Sequence, residues 1–224
     1  MDRDALKRDR PARCPVCGSP EPDPLLSIAG RHYWACAACE ARFLDPRQHP
    51  SRAEEYAHYL HHENDPADPA YRRFLARLAE PLLARLSAGA RGLDFGCGPG
   101  PALAAMLREA GHPMALYDPF FHPDPTALQG CYDFITCTET VEHFHRPAEE
   151  LERLDRLLAP GGWLGIMTGF QTDDARFAAW HYRRDPTHVV FYRAATWRYL
   201  AAARGWSCEI PVKDVALLRK PLQV

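Results

Sequence analysis

Apolar residues in the second half of the chain form short clusters, and segments with helical spacing lie between them. The predicted strands lie at 93–95, 112–118, 132–138, 163–168, 207–210 and 215–218. The predicted helices lie at 102–110, 147–158 and 194–204. Strands that alternate with helices in this way are typical of an α/β domain.

Two more helices are predicted between residues 46 and 88, a stretch that we call the connector. Ser51 and Glu54 have the spacing of a capping box, which places a helix start near residue 52. Asp68 followed by Pro69 is a typical start for the second helix, whose apolar residues recur at helical spacing and which Pro81 should kink or restart. The pattern leaves open whether the connector covers the substrate mouth as a lid or packs beneath the sheet.

The composition of the 224 residues, 46% apolar and 25% charged, is that of a globular protein. The net charge of −2 argues against a strongly electrostatic nucleic-acid binder, so DNA is not an expected partner. No stretch approaches the ~18 consecutive apolar residues of a membrane span, and residues 1–13 lack the apolar core of a signal peptide. We therefore expect a cytoplasmic protein without a membrane partner.

Four cysteines near the N-terminus predict a structural zinc site. Cys14 and Cys17 form one CxxC pair, and Cys36 and Cys39 form the second after a short predicted hairpin. Zn²⁺ binds four thiolates tetrahedrally at about 2.3 Å, and a site with four protein ligands keeps no open position for catalysis. Redox or disulfide roles do not explain both pairs at this spacing. The other four cysteines are interpreted as buried small apolar side chains.

A glycine-rich segment directly after the strand at 93–95 is the main functional signal. Asp94 is followed by Gly96, Cys97, Gly98 and Gly100, and then by a helix. Glycine permits both a sharp turn and the close approach of a ligand to the main chain. A strand, a glycine loop and a helix in this order can hold a nucleotide-like cofactor at the carboxyl edge of a sheet.

The loop resembles motif I of class I S-adenosylmethionine (SAM)-dependent methyltransferases. Pro101 stands where the dinucleotide pattern GxGxxG has its third glycine, and the Gly-Lys-Ser/Thr of a P-loop is absent. The turn Leu-Ala-Pro-Gly-Gly at 158–162 is a second feature of class I enzymes. The resemblance covers about residues 89 to 205. It implies an α/β fold with a Rossmann-like, seven-stranded methyltransferase sheet and helices on both faces.

The same resemblance implies how SAM is held. The glycine loop, Cys97 included, cradles the methionine part of SAM, and Asp94 holds the loop and the amino group. Asp118, after the second strand, accepts hydrogen bonds from both ribose hydroxyls, and Thr138 is a further cofactor contact at the end of the fourth strand. The sequence 119–131 offers only a weak third strand and no acidic residue well placed for the adenine amino group, so the adenine pocket is unassigned.

Carboxylates and imidazoles follow the fourth strand. Glu139, Glu142 and His143 have i, i+3, i+4 spacing, so on a helical turn they would share one face and suit Mg²⁺ or another divalent ion. The string resembles two groups of metal-assisted O-methyltransferases, those of ubiquinone biosynthesis and those that methylate the 2′-oxygen at small-RNA 3′ ends. In the second group a distant histidine completes the site, and His188 is its counterpart here. Two alternatives stay open: metal-free acid–base catalysis by His143 or His188, and a structural role.

Aromatic and basic residues gather at 177–188, where class I enzymes commonly build their substrate walls. Trp180 and Tyr182 could stack on an aromatic ring or base, and Arg183 and Arg184 could bind a phosphate or carboxylate. The alternative is a packed insertion whose arginines reach to solvent.

We therefore expect three regions: a zinc ribbon at 1–45, the helical connector at 46–88 and a methyltransferase domain at 89–224. The expected enzyme uses SAM, a structural Zn²⁺ and, if the glutamate–histidine residues bind one, Mg²⁺ or another divalent ion. The expected acceptor is the hydroxyl oxygen of a small molecule. The second hypothesis is an enzyme that methylates the 2′-oxygen of RNA. The third is a non-catalytic SAM-binding adaptor that recruits a partner through its ribbon.

Overall fold

A computed structural model of the chain describes residues 10–61 and 64–222. Most of the segment 1–13, in which the sequence predicts no signal-peptide core, therefore lies outside the described residues. The strands are β1 (Asp23–Ile28), β2 (Arg31–Ala35), β3 (Arg42–Leu44), β4 (Gly92–Phe95), β5 (Met114–Tyr117), β6 (Tyr132–Thr138), β7 (Leu158–Met167), β8 (Val190–Phe191), β9 (Ser207–Glu209) and β10 (Val215–Arg219). The helices are α1 (Arg52–Tyr59), α2 (Pro69–Leu83), α3 (Ala102–Glu109), α4 (Pro147–Leu157), α5 (Asp174–Phe177) and α6 (Ala194–Ala203).

The larger sheet has the strand order β5-β4-β6-β7-β10-β9. Its first four strands are parallel, and β10 runs antiparallel to both β7 and β9. The strand–helix alternation and the terminal hairpin were both predicted from the sequence. Because the carboxyl ends of β4, β5 and β6 meet at one edge of this sheet, the residues that follow them can build a common site.

The larger sheet has six strands in the described residues rather than the seven that the resemblance implies. The segment where a third strand was expected forms a tight Asp118–His122 bridge and then a single 3-10 turn at Pro125–Gln129. Pro119, Pro123 and Pro125 explain the difference, because proline cannot donate a ladder hydrogen bond.

Helices cover both faces of this sheet. On one face, α2 and α3 contribute Leu78, Leu82, Leu103 and Leu107 to a buried cluster that includes Phe134 of β6. On the other face, α4 and α6 pack their apolar residues into a second cluster that contains the neighbouring β6 residue Ile135. The second connector helix runs through Pro81 to Leu83 without a restart. None of the described helices has the length and apolar character needed to cross a bilayer.

A smaller antiparallel sheet has the order β1-β2-β3-β8, and the cysteine pairs lie in the turns before β1 and between β2 and β3. We call the cysteine pairs with β1, β2 and β3 the ribbon. Its last neighbour, β8, comes from the segment 169–193 between β7 and α6, which we call the insertion. Trp34 and Phe43 of the ribbon lie in the same buried cluster as Ile135 and Leu154. The ribbon therefore shares one core with the larger domain.

Of the four cysteines outside the ribbon, Cys137 is buried, Cys97 and Cys208 are half-buried, and Cys131 is exposed. The interpretation as buried side chains is therefore wrong for Cys131, which lies between the 3-10 turn and β6.

Gly92 at the start of β4 has no room for a side chain, since an added Cβ would overlap the Phe134 ring and the Met114 sulfur. We predict that Gly92→Ala lowers the free energy of unfolding by about 1–3 kcal/mol, the usual range for overpacking a core. Gly165→Ala is the matched control, because its Cβ would lie 3.1 Å from Cδ1 of Leu78, a side chain that can yield. Urea unfolding compares the two; equal losses would contradict the prediction.

Candidate active site

The glycine loop leaves β4 in a conformation that L side chains rarely adopt. Gly96 and Gly98 have φ values of +77° and +64°. The Gly96 amide donates to Tyr117 O at 2.7 Å, and a Cβ on Gly96 would overlap Thr140. The third glycine serves another contact, because a Cβ on Gly100 would overlap the main-chain oxygen of Asn64 in the connector.

Asp118 ties this loop to the end of β5. Its carboxylate accepts hydrogen bonds from the amides of Gly98 at 3.0 Å, Phe120 at 2.8 Å and Phe121 at 3.0 Å. A carboxylate has about four acceptor positions. In this conformation Asp118 therefore has room for one ribose hydroxyl, and accepting two, as the resemblance implies, would require one amide bond to open.

Asp94 lies behind the loop and is buried. Its carboxylate accepts a 2.7 Å hydrogen bond from the Thr136 hydroxyl. Burial raises the pKa of Asp94 to about 6, while the Thr136 hydroxyl and the Ala104 amide partly offset that rise by favouring the charged form. This placement suits the predicted role of holding the loop. Thr138, the other predicted contact at this edge, has a buried hydroxyl with no hydrogen-bond partner in the described part of the chain.

A cavity of about 420 Å³ opens beside the loop, a size in the usual range for small-molecule sites. Gly96, Gly98 and Asp118 line one part of it, and Glu139 and His143 line another. Helix α1 contributes three more lining residues, Arg52, Glu55 and Tyr59. The remaining lining residues are Phe95, Pro99, Tyr117, Pro119, Phe120, Phe121, Thr140, Phe144, His145, Arg146, Glu150 and Arg153.

The two connector helices lie in different places, one over the cavity and one against the sheet. The Tyr59 ring of α1 lies 5.4 Å from the His143 ring and 5.3 Å from the Phe120 ring, measured between centroids, so α1 covers the cavity. In contrast, α2 packs against β7 and β10 on one face of the sheet. The sequence did not point to Tyr59, His145 or Phe120, although two aromatic residues directly after the Asp118-Pro119 turn were a usable signal.

Glu142, His143 and His188 come together at the edge of this cavity, and we call them the Glu-His cluster. Their ligand atoms lie within 4.8 Å of one another. Nε2 of each histidine lies 4.0 Å from Glu142 Oε1. The two Nδ1 atoms contact main-chain oxygens, at 3.1 Å from Thr187 O for His143 and 2.7 Å from Tyr182 O for His188. Because a carbonyl only accepts, both Nδ1 atoms carry the proton, which is the arrangement typical of metal-binding histidines.

Glu139 does not share a face with Glu142 and His143, although the sequence spacing predicts it. The 3-10 turn spans only Val141–His143, and Glu139 precedes it with a φ of +47°. The Tyr182 hydroxyl lies between the two glutamates, 2.5 Å from Glu142 Oε1 and 3.2 Å from Glu139 Oε2. Burial, together with the charge of Glu142, raises the pKa of Glu139 to about 9.

None of the four predicted substrate residues is among those lining this cavity. Tyr182 is committed to the two glutamates, and the Trp180 ring packs 5.1 Å from the Tyr182 ring. Arg183 is buried and donates to Ala178 O at 2.9 Å and to the Tyr33 hydroxyl at 3.3 Å, while Arg184 is exposed. Their role in substrate binding stays a prediction.

Comparison with known proteins gives one family match and several similar proteins. A family model described as a methyltransferase domain matches residues 56–209. A ubiquinone biosynthesis O-methyltransferase from Sodalis glossinidius is 35% identical over 85 residues, which are 38% of this chain and 34% of that protein. The match thus spans about a third of the relative's length.

Two solved structures are similar over most of both chains. The 1,6-didemethyltoxoflavin-N1-methyltransferase of Burkholderia thailandensis, with S-adenosylhomocysteine (SAH) bound, has 18% identity and a TM-score of 0.47, and covers 88% of this chain and 99% of that one. The magnesium protoporphyrin IX methyltransferase of Synechocystis PCC 6803 has 14% identity and a TM-score of 0.49, and covers 76% and 94%.

The raised pKa of Asp94 predicts a stability that falls as the pH rises. Between the ordinary pKa of 3.8 and about 6, the folded state keeps a proton that the unfolded state has lost. Raising the pH from 4 to 7 should therefore lower the free energy of unfolding of the wild type relative to Asp94→Asn by about 2–3 kcal/mol.

Asp124→Asn is the control for this measurement. The Thr126 amide lowers the pKa of Asp124, so the stability that this carboxylate contributes rises with pH instead of falling. Urea unfolding at several pH values reports both differences. A difference between wild type and Asp94→Asn that does not change with pH would contradict the prediction.

Proposed function

The chain belongs to the methyltransferase-domain family that its residues 56–209 match, and we propose that it transfers the methyl group of SAM to a hydroxyl oxygen of a small molecule. The observation that carries the proposal is the shared cavity: Gly96, Gly98 and Asp118 line it together with His143. A donor on the glycine loop and an acceptor at the Glu-His cluster would then meet in one cavity. The similarity to the Sodalis ubiquinone biosynthesis O-methyltransferase supports oxygen as the methylated atom.

Bound SAM would supply an electrophilic methyl carbon, and the chain's own residues would position the two reactants. The glycine loop and Asp118 would hold the donor, with Asp94 fixing the loop from behind. As the oxygen–carbon bond forms and the sulfur–carbon bond breaks, the acceptor must lose its hydroxyl proton. Without an ion at the Glu-His cluster, this proton would pass to Nε2 of His143, the member of the cluster that lines the cavity. An acceptor hydroxyl ionised by a bound ion would release its proton to solvent.

The donor set of the Glu-His cluster fits a divalent ion. It offers one carboxylate and two imidazole nitrogens, a set that suits Mn²⁺, Fe²⁺ or Co²⁺ better than Mg²⁺, which prefers oxygen ligands. Glu142 is fully buried, and its carboxylate accepts hydrogen bonds from the Tyr182 and Thr168 hydroxyls, which an ion would have to replace or share. Such an ion would lower the pKa of an acceptor hydroxyl and fix its orientation.

The ribbon cysteines fit a structural Zn²⁺. Sγ of Cys14 lies 3.8 Å from Sγ of Cys39, and Sγ of Cys17 lies 3.6 Å from Sγ of Cys36. Four sulfurs at about 2.3 Å from one zinc ion lie about 3.8 Å apart in a tetrahedron, whereas disulfide sulfurs lie about 2.05 Å apart. The spacing supports the zinc reading over two disulfides. All four thiols belong to one group within 4.8 Å.

A small acceptor is favoured by the size of the cavity, about 420 Å³. Helix α1 covers it with Tyr59, and aromatic residues on the loop after Asp118 narrow it. The net charge of −2 gives no support to a polyanionic acceptor such as RNA. The acceptor we propose is a hydroxylated, partly aromatic molecule.

We predict that Asp118→Asn weakens SAH binding at least roughly tenfold, measured by titration calorimetry. The variant loses charge-assisted hydrogen bonds to the loop amides, each worth about 1.5–3 kcal/mol. Asp124→Asn, which changes a carboxylate that caps an exposed turn, should bind SAH like the wild type. Unchanged affinity in Asp118→Asn, or a wild type that does not bind SAH, would reject the proposed cofactor site.

A second prediction concerns the Glu-His cluster and needs no acceptor. Glu142→Gln should abolish the high-affinity binding of Mn²⁺, followed by electron paramagnetic resonance, because the neutral amide is a weak ligand. Its affinity for SAH should stay within about twofold, since the glycine loop is untouched. Glu150→Gln, which lines the same cavity outside the cluster, should bind Mn²⁺ normally. Equal Mn²⁺ affinities in both variants would rule out the proposed ion site.

A further inference from the structure

We propose that the ribbon holds the Glu-His cluster in position, so that zinc in the ribbon controls the acceptor site without controlling the glycine loop. The proposal rests on the proposed function for the role of the cluster. The structural link itself depends only on hydrogen bonds and packing between the ribbon, the insertion and the turn that carries Glu142.

The link passes through a single residue of the insertion. Val189 directly follows His188 and is fully buried. Its carbonyl oxygen accepts a 2.8 Å hydrogen bond from the amide of Leu44 in the ribbon, and its own amide donates a 2.9 Å hydrogen bond to Glu142 O. The segment between His188 and β8 is therefore held between the ribbon on one side and the Glu142 turn on the other.

Strand pairing and ion pairs strengthen the same contact. Strand β3 pairs with β8 through Arg42 opposite Phe191 and Phe43 opposite Val190. The Arg42 guanidinium forms a two-pronged bond to Asp174 of the insertion, at 2.8 and 2.7 Å. Such bidentate pairs fix geometry as well as add energy.

Aromatic packing fastens the earlier part of the insertion. The Tyr33 ring of β2 contacts the Phe177 ring edge-on at 5.2 Å, and its hydroxyl accepts from Arg183 at 3.3 Å. Arg183 follows Tyr182, whose carbonyl accepts from His188 and whose hydroxyl donates to Glu142. The ribbon thus anchors the insertion on both sides of the His188 contacts.

The cysteine pairs stand at the points where the ribbon meets the domain. The second pair turns directly into β3, with the Cys36 amide bonded to Ala41 O at 2.9 Å. The first pair encloses Pro15, whose carbonyl accepts from the amide of Ala148 at the start of α4. Loss of zinc would loosen both contacts, because the metal would no longer tie the two cysteine turns together.

The glycine loop has other partners. Its amides bond to Tyr117 O and to Asp118, and the Thr140 hydroxyl donates to Gly96 O at 3.1 Å. These partners lie on β5, directly after it, or in the turn after β6. Loss of the ribbon contacts should therefore loosen the cluster and leave the loop in place.

Hydrogen exchange of the full chain, followed by mass spectrometry, tests this proposal. In Cys39→Ser, amides at 186–192 and 142–144 should exchange at least roughly tenfold faster, and those at 93–100 should not change. Mn²⁺ binding should be lost, and SAH affinity should stay within about threefold of the wild type. Cys131→Ser, which changes the exposed cysteine, is the matched control and should show none of these effects. Elemental analysis checks that zinc is lost only in Cys39→Ser.

Arg42→Lys is a second variant that keeps all four cysteines and the positive charge while removing the two-pronged bond. It should retain zinc and show faster exchange at 186–192. Unchanged exchange there in zinc-free Cys39→Ser, or faster exchange at 93–100 together with loss of SAH binding, would overturn the proposal. A wild type that binds neither SAH nor Mn²⁺ would instead refute the proposed function, while the exchange pattern would still decide whether the ribbon holds the insertion.

Discussion

The carboxylate of Asp118 accepts hydrogen bonds from three main-chain amides, and the glycine loop depends on them. Without this acceptor, the partly buried amides of Gly98, Phe120 and Phe121 would lose their partner. The bonds join the loop to the turn after β5 and fix its edge of the cavity. Since Gly96 and Gly98 are already in the left-handed region, the loop has few other ways to close. The cavity, and any function placed in it, follows from that closure.

Local signals in the sequence were enough for most of the fold. The capping box at Ser51 and Glu54, the strand before the glycine loop and the start of α4 at Pro147 were all read from neighbouring residues, and each is present in the structure. The family match confirms the expected α/β methyltransferase class. The zinc and divalent-ion sites stay predictions, supported by two groups of converging side chains.

Local sequence patterns could not predict features that depend on distant contacts or on one unusual backbone angle. The left-handed φ of Glu139 takes its side chain out of the pattern that ExxEH predicts, and nothing in the string reveals it. Tyr182 and Arg183 carry the residue types of a substrate wall, yet one bonds to two glutamates and the other to the ribbon. The pairing of β3 with β8 joins residues far apart in the chain, so no local pattern could predict that the ribbon reaches His188. These residues cluster where the ribbon, the insertion and the 3-10 turn meet.

The central claim is that a methyl donor on the glycine loop lies next to an ion at the Glu-His cluster. Nuclear relaxation of SAM labelled with ¹³C in its methyl group measures this directly, because bound Mn²⁺ speeds the relaxation of nearby nuclei. The account predicts strong enhancement with wild-type protein and Mn²⁺, and none when diamagnetic Mg²⁺ replaces Mn²⁺. A methyl carbon whose relaxation is unchanged, while SAM and Mn²⁺ are both shown to be bound, would contradict it.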